Sequence, residues 1–188
     1  MPTHVALLCG INLGGHKRVA MADLREAVAS LGHTGVSTYV QSGNVLFSTS
    51  ETDTAALAAA LKEAIARILS VRAGVIVLSR GELAQVVRDN PFPQETNPRA
   101  VHAVFLSGDP GPDLLSRVAA AQREAERNGS RDTARVVGRT LFLHTPDGFG
   151  RSRLAAALTS TAGRSPAGVT GTARNWATVT KLLALCSA

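Results

Sequence analysis

Pro146-Asp147-Gly148-Phe149-Gly150-Arg151-Ser152-Arg153 joins an apolar run, Thr140 to His144, to an Ala-rich segment that begins at Arg151 and continues to Thr161. The apolar run reads as a strand and the Ala-rich segment as a helix, so the stretch is a glycine turn that opens a helix. Two readings fit it. Unpaired backbone N–H groups, the helix dipole and two arginines in the first turn suit an anion. The same residues also make a plain corner in which Asp147-Gly148 forms the turn and Asp147 or Ser152 caps the helix.

Working outward, the hairpin Ala134 to Val137 and Thr140 to His144 turns at Gly138-Arg139, after a strand at Ala100 to Ser107 and a helix at Asp113 to Arg127. Downstream, Gly163 to Gly171 reads as loop and short strand, and Asn175 to Leu185 as a helix with Asn175 as cap. The first half repeats this order. It has a strand at His4 to Cys9, a helix at Ala22 to Leu31, strands at Val36 to Gln41 and Asn44 to Ser48, a helix at Asp53 to Leu69 and a strand at Val75 to Leu78. Leu24, Ala27, Val28 and Leu31 give the first helix one apolar face, and Leu57, Leu61, Ala64, Ile65 and Ile68 give the second another. Ser79-Arg80-Gly81-Glu82 has the form of a capping box opening a helix to Asn90. Two copies of β-α-β-β-α-β-α predict an α+β fold, a tandem duplication of ferredoxin-like halves. The first half spans 1–90 and the second 100–188, with a linker at 91–99 marked by Pro91, Pro93 and Pro98.

The net charge of +6 is unevenly placed. Residues 1–94 carry eight Lys or Arg against seven Asp or Glu, and residues 95–188 carry twelve against seven. A basic second half points to anionic partners, either a small phosphate- or carboxylate-bearing ligand or nucleic acid. With 4% aromatic residues, the stacking platforms of single-strand binders are missing. No apolar run approaches the roughly 20 residues of a membrane span, and Met1 to Gly10 has no basic start or cleavage pattern, so a cytoplasmic protein with no membrane partner is expected. Cys9 and Cys186 lie far apart without metal spacing and read as small core residues. The five histidines show no metal-ligand pattern, and no GxSxG or paired-carboxylate motif is present, so no metal, cofactor or catalytic residue is assigned.

Four loops carry the polar chemistry. Gly10-Ile11-Asn12-Leu13-Gly14-Gly15 follows a strand but is neither GxGxxG nor a phosphate loop; its glycines suit close backbone approach to a ligand, with Lys17 supplying charge, or a simple tight turn. Gln41, Ser42 and Asn44 surround Gly43 at a hairpin tip, as ligand contacts or as turn formers. Gly150, Arg151, Ser152 and Arg153 form the third loop. Arg174, Asn175 and Trp176 form the fourth, where the single tryptophan either stacks on a ring or fills the core. In a ferredoxin-like half, the first two loops share one end of a sheet and the last two share one end of the other. If those ends meet, the four loops line a cleft between the halves. The remaining expectation is a scaffold whose partner is another copy of the chain.

Five segments carry a family resemblance: Leu7 to Gly15 (LLCGINLGG), Tyr39 to Phe47 (YVQSGNVLF), Asn90 to Pro93 (NPFP), Pro146 to Leu154 (PDGFGRSRL) and Thr172 to Leu182 (TARNWATVTKL). They resemble the bacterial family known as domain of unknown function 1697, over about His4 to Leu185. The resemblance implies a tandem α+β fold with two ferredoxin-like halves and brings no activity, substrate or catalytic residue. The chain departs from the family pattern at Cys9, where Arg is usual, and at Arg153 and Ala177, where Lys and Asn are usual. Cys9 removes a cation, and Arg153 keeps the charge in a planar, forked form.

Overall fold

The computed structural model describes residues 1–11, 19–159 and 169–187. The fold is α+β, with two four-stranded antiparallel sheets and, among the described residues, six α-helices. The chain divides into two compact units, Met1–Gln85 with Lys181–Ala188, and Val86–Thr180.

In the first unit, β1 (His4–Cys9) is followed by α1 (Met21–Ala29), β2 (Thr34–Tyr39), β3 (Asn44–Ser48), α2 (Thr54–Leu69), β4 (Gly74–Ser79) and the start of α3 (Arg80–Arg88). The strand order is β2-β3-β1-β4. Ala6 stands opposite Val45 on one side and Val77 on the other, so alternate residues of three strands reach the same face. Ala6, Leu8, Val45, Phe47 and Val77 there join Leu24 and Val28 of α1 and Leu57, Leu61 and Ile65 of α2 in one core. Each large side chain buried this fully contributes about 1.5–3 kcal/mol. Asp53 caps α2, its carboxylate accepting from the Ala55 and Ala56 amides at 2.9 and 3.0 Å. The expected capping box forms at α3: the Ser79 amide donates to Glu82 at 2.7 Å and the Glu82 amide to Ser79 Oγ at 3.2 Å.

The second unit contains β5 (Val101–Leu106), α4 (Pro112–Arg127), β6 (Thr133–Val137), β7 (Thr140–His144), a 3₁₀ turn at Phe149–Arg151, α5 (Arg153–Thr159), β8 (Gly171–Asn175) and the first half of α6 (Trp176–Leu185). Its strand order, β6-β7-β5-β8, repeats that of the first sheet position by position. Val104, Leu106, Leu141 and Leu143 face Val118 and Ala125 of α4 and Leu154 and Leu158 of α5 in a second core. Gln122 of α4 reaches the edge of this sheet and accepts the Ala134 amide at 2.8 Å.

Residues 91–99 are irregular but tied down. Glu95 binds His144 Nε2 at 2.7 Å and Phe92 stacks on the His144 ring at 5.1 Å. The Asn97 amide donates to Glu95 at 2.8 Å and the Arg99 amide to Asn97 Oδ1 at 3.1 Å.

Several boundaries differ from expectation. The predicted helix from Arg151 is broken, because Ser152 is extended (φ −74°, ψ 116°) between the 3₁₀ turn and α5. The hydroxyl of Ser152 takes the Ala155 amide at 2.9 Å, so α5 starts two residues late, at Arg153. Its expected end at Thr161 and the loop start at Gly163 lie outside the described residues. Thr172 to Asn175, read as a loop entering the last helix, is most of β8, with Ala173 opposite Val104 and Arg174 opposite Ala103. β2 ends at Tyr39 rather than Gln41, so the hairpin tip is the four residues Val40–Gly43, with Val40 itself left-handed (φ 52°). Ile68, expected on the buried face of α2, is 42% exposed in the last turn before Ser70 reverses the chain. Cys186 is buried, whereas Cys9 is partly exposed at the end of β1.

Candidate functional site

In the second unit a cavity of about 370 Å³ opens beside the turn after β7. α4, the loop after it and α5 form its walls, through Ala121, Ala125, Leu154 and Ala157, with Asn128, Ser130 and Asp132 from the loop. Glu124, Asp147, Gly148, Arg151, Ser152 and Arg153 complete it. Gly148 adopts φ 105° and ψ 131°, a backbone state that side chains disfavour, and this reversal carries Arg151 and Arg153 to the rim.

Charge at the rim is sorted by partner. Arg131 grips Asp147 with both Nε and Nη2, the Nε contact at 3.2 Å. These hydrogen bonds, and then the charges of Arg131 and Arg151, hold the Asp147 carboxyl below its usual range, while Asp147 raises Arg131. Glu124 is engaged by Arg127 and by Asn128 Nδ2 at 2.8 Å, which lowers its carboxyl as well. Arg151 and Arg153 are exposed, and among the described residues neither side chain makes a hydrogen bond or ion pair. Ser152, between them, is buried and spent on capping α5. Gly150 is exposed, with open space where a side chain would stand.

The other residues singled out in the sequence take different positions. Arg174 is 7% exposed; its guanidinium donates to Thr172 Oγ1 at 2.7 Å and to the Ala173 carbonyl at 2.9 Å. Asn175 caps α6 by accepting the Thr178 amide at 2.8 Å, and Trp176 is half-buried, its ring 6.1 Å from Phe142 and tilted by 58°. These residues and the turn after β7 share one end of the sheet, since His144 stands opposite Val101 and Asn175 opposite His102.

In the first unit the hairpin tip and the exit of β1 share an end, with the Leu8 amide donating to the Gly43 carbonyl at 2.8 Å. Asn44 is fully buried and closes the hairpin by donating to the Tyr39 carbonyl at 2.9 Å and to Ser42 Oγ at 3.0 Å. Gln41 and Ser42 are exposed, and so is Gly10, which turns the chain at φ 67°. Asn12, Gly14, Gly15 and Lys17 lie outside the described residues.

The cavity residues Asn128, Ser130 and Asp132 were not singled out by the sequence. Nothing in Asn128-Gly129-Ser130-Arg131-Asp132 distinguishes a site from a polar loop. Gly129, left-handed at φ 67°, is the one local signal that the chain doubles back there.

A family model described as protein of unknown function (DUF1697) matches residues 1–141. The chain belongs to this family. The DUF1697 match spans all of the first unit's sheet and the second unit as far as β7. A solved structure, that of conserved bacterial protein SP0830 from Streptococcus pneumoniae, is similar over 98% of both chains, at 21% identity and a TM-score of 0.68. That likeness supports the fold of this DUF1697 member. The comparison with curated proteins finds no match.

Proposed function

We propose that the second unit binds a small anionic ligand, phosphate- or carboxylate-bearing, in the cavity beside the β7 turn. The observation that carries this reading is the pair of rim arginines whose side chains make no hydrogen bond or ion pair among the described residues. Arg151 and Arg153 flank a cavity whose neighbouring carboxylates, Asp147 and Glu124, are already occupied by Arg131 and Arg127. Exposed guanidinium groups on a backbone held by a buried serine cap are poised for forked contacts to an oxyanion. The volume falls at the small end of the roughly 300–1,000 Å³ typical of ligand sites. The repeated strand order, β2-β3-β1-β4 and β6-β7-β5-β8, supports two ferredoxin-like halves derived by duplication, with the cavity a specialisation of the second.

The test is calorimetric titration of inorganic phosphate and short organic acids into the wild type and into Arg151→Ala with Arg153→Ala. A charge-assisted contact is worth about 1.5–3 kcal/mol, so loss of each arginine weakens binding by at least about tenfold. Both residues are exposed, and the fold is unaffected. Equal affinity in the two proteins would sink the reading.

A further inference from the structure

Asp132 adds a second requirement to this site. It is 8% exposed and lines the cavity. Its backbone amide donates to Ser130 Oγ at 3.2 Å, but its carboxylate accepts no hydrogen bond and forms no ion pair among the described residues. The adjacent Arg131 acts on it only through space, because that guanidinium fork is closed on Asp147. The Asp132 oxygens are not among the sealed, unpartnered polar atoms, so the accessible surface they keep faces outward from the packed core, and the cavity Asp132 lines is where donors reach them. Among the described residues no group of three His, Cys, Asp or Glu is placed to hold a metal ion, and an ammonium group is a donor that matches a single carboxylate in charge. The same lining includes apolar groups, Ala121, Ala125, Leu154 and Ala157, suited to a short methylene chain.

We infer that the ligand is a small zwitterion, with its ammonium group on Asp132 and its phosphate or carboxylate on Arg151 and Arg153. This rests on the anion reading above and narrows it to amino-acid-like or aminoalkyl phosphate compounds. One acid and two bases of the cavity lining make no side-chain hydrogen bond or ion pair among the described residues, and a zwitterion, which carries both signs, complements all three.

Two matched pairs of probes test it by calorimetry at pH 7: 2-aminoethyl phosphate against n-propyl phosphate, and β-alanine against butyrate. Within each pair only the ammonium is replaced by a methyl group, and the two pairs separate a phosphate from a carboxylate ligand. The expected result is binding of the ammonium compound at least about tenfold tighter in one pair. Asp132→Asn should collapse that preference to about threefold or less, while the methyl analogue binds as well as before or better, having lost a repelling charge. Equal binding within both pairs, still dependent on Arg151 and Arg153, would overturn the zwitterion and leave the anion site standing. Absence of binding by all four compounds would overturn both. A preference that survives Asp132→Asn would remove Asp132 as the acceptor. Should that variant fail to fold, the pairwise comparison on the wild type still decides, and Asp132→Glu, which keeps the charge, is expected to retain the preference.

Discussion

Replacing Gly43 by alanine separates two costs that glycine removes together at the first hairpin. Gly43 sits at φ +76°, where an L-residue loses about 1–2 kcal/mol. A methyl group there would stand 2.7 Å from Ile11 Cδ1 and 2.8 Å from Leu8 Cβ. The Ile11 methyl is the end of a side chain, but the Leu8 Cβ is fixed to β1, and the Leu8 amide is bonded to the Gly43 carbonyl itself. Relief therefore requires the hairpin to lift from β1, and overpacking of this kind costs about 1–3 kcal/mol. Gly43→Ala is expected to destabilise the first unit by about 2–5 kcal/mol in all, a large share of the usual 5–15 kcal/mol. Gly32→Ala is the control: φ is +84° with nothing within 4 Å, so only the conformational cost applies, about 1–2 kcal/mol. Urea unfolding followed by circular dichroism, with amide exchange at Leu8 as the local reading, measures both variants in the same unit. Values for the two within about 0.5 kcal/mol of each other, at equal m-value, would refute the steric argument.

Further outcomes follow from other contacts. Ser152→Ala removes the cap of α5 and strands the buried Ala155 amide, lowering stability by about 1–2 kcal/mol in urea titrations read by Trp176 fluorescence; Ser152→Thr, which restores the acceptor, recovers most of it. Gln122→Ala costs about 1 kcal/mol and accelerates exchange of the Ala134 amide, and unchanged exchange there would show the edge donor is satisfied some other way. His102 has its basicity lowered to about 4 by burial, with its ring 3.9 Å from Phe149 and Nδ1 without a hydrogen-bond partner among the described residues. Because that value lies below the unfolded 6.5, the unfolded chain binds more protons between these limits. Stability present above pH 6.5 is thus lost as the pH falls to about 4, by roughly 1–2 kcal/mol once solvent screening is allowed for. His102→Phe should flatten that slope in chemical denaturation at stepped pH, and parallel curves for the two proteins would contradict it.

Much of the fold is legible because its signals are local. HVALLC, NVLFS and TLFLH are apolar runs bounded by polar or glycine residues, and β1, β3 and β7 start and stop where those runs do. β8 lies downstream of the short strand expected within Gly163 to Gly171, because Gly171-Thr172-Ala173-Arg174-Asn175 has no apolar alternation; pairing with β5 makes it a strand, and pairing is not written in its own residues. That also moved Arg174 from an expected loop cation to a buried one. The site was half legible. The turn Asp147-Gly148 and the arginines after it stand out in sequence, whereas Arg131 reaches Asp147 from sixteen residues away and decides which charges remain unspent. Asp132 is an ordinary loop acid until the packing of α4, β6 and α5 buries it.

The segment 91–99 has the three prolines and polar content that invite dissection of the chain at this point. The contacts of Phe92 and Glu95 with His144, and the Asn97 bonds that follow, argue against cutting there. Limited proteolysis should cut these nine residues more slowly than untethered loops, because the backbone here, although largely exposed, is fastened to β7 at two side chains. A fragment beginning at Ala100 would lack both clasps and expose the His144 end of its central hairpin, so expression of the second unit by itself should begin upstream of Asn90.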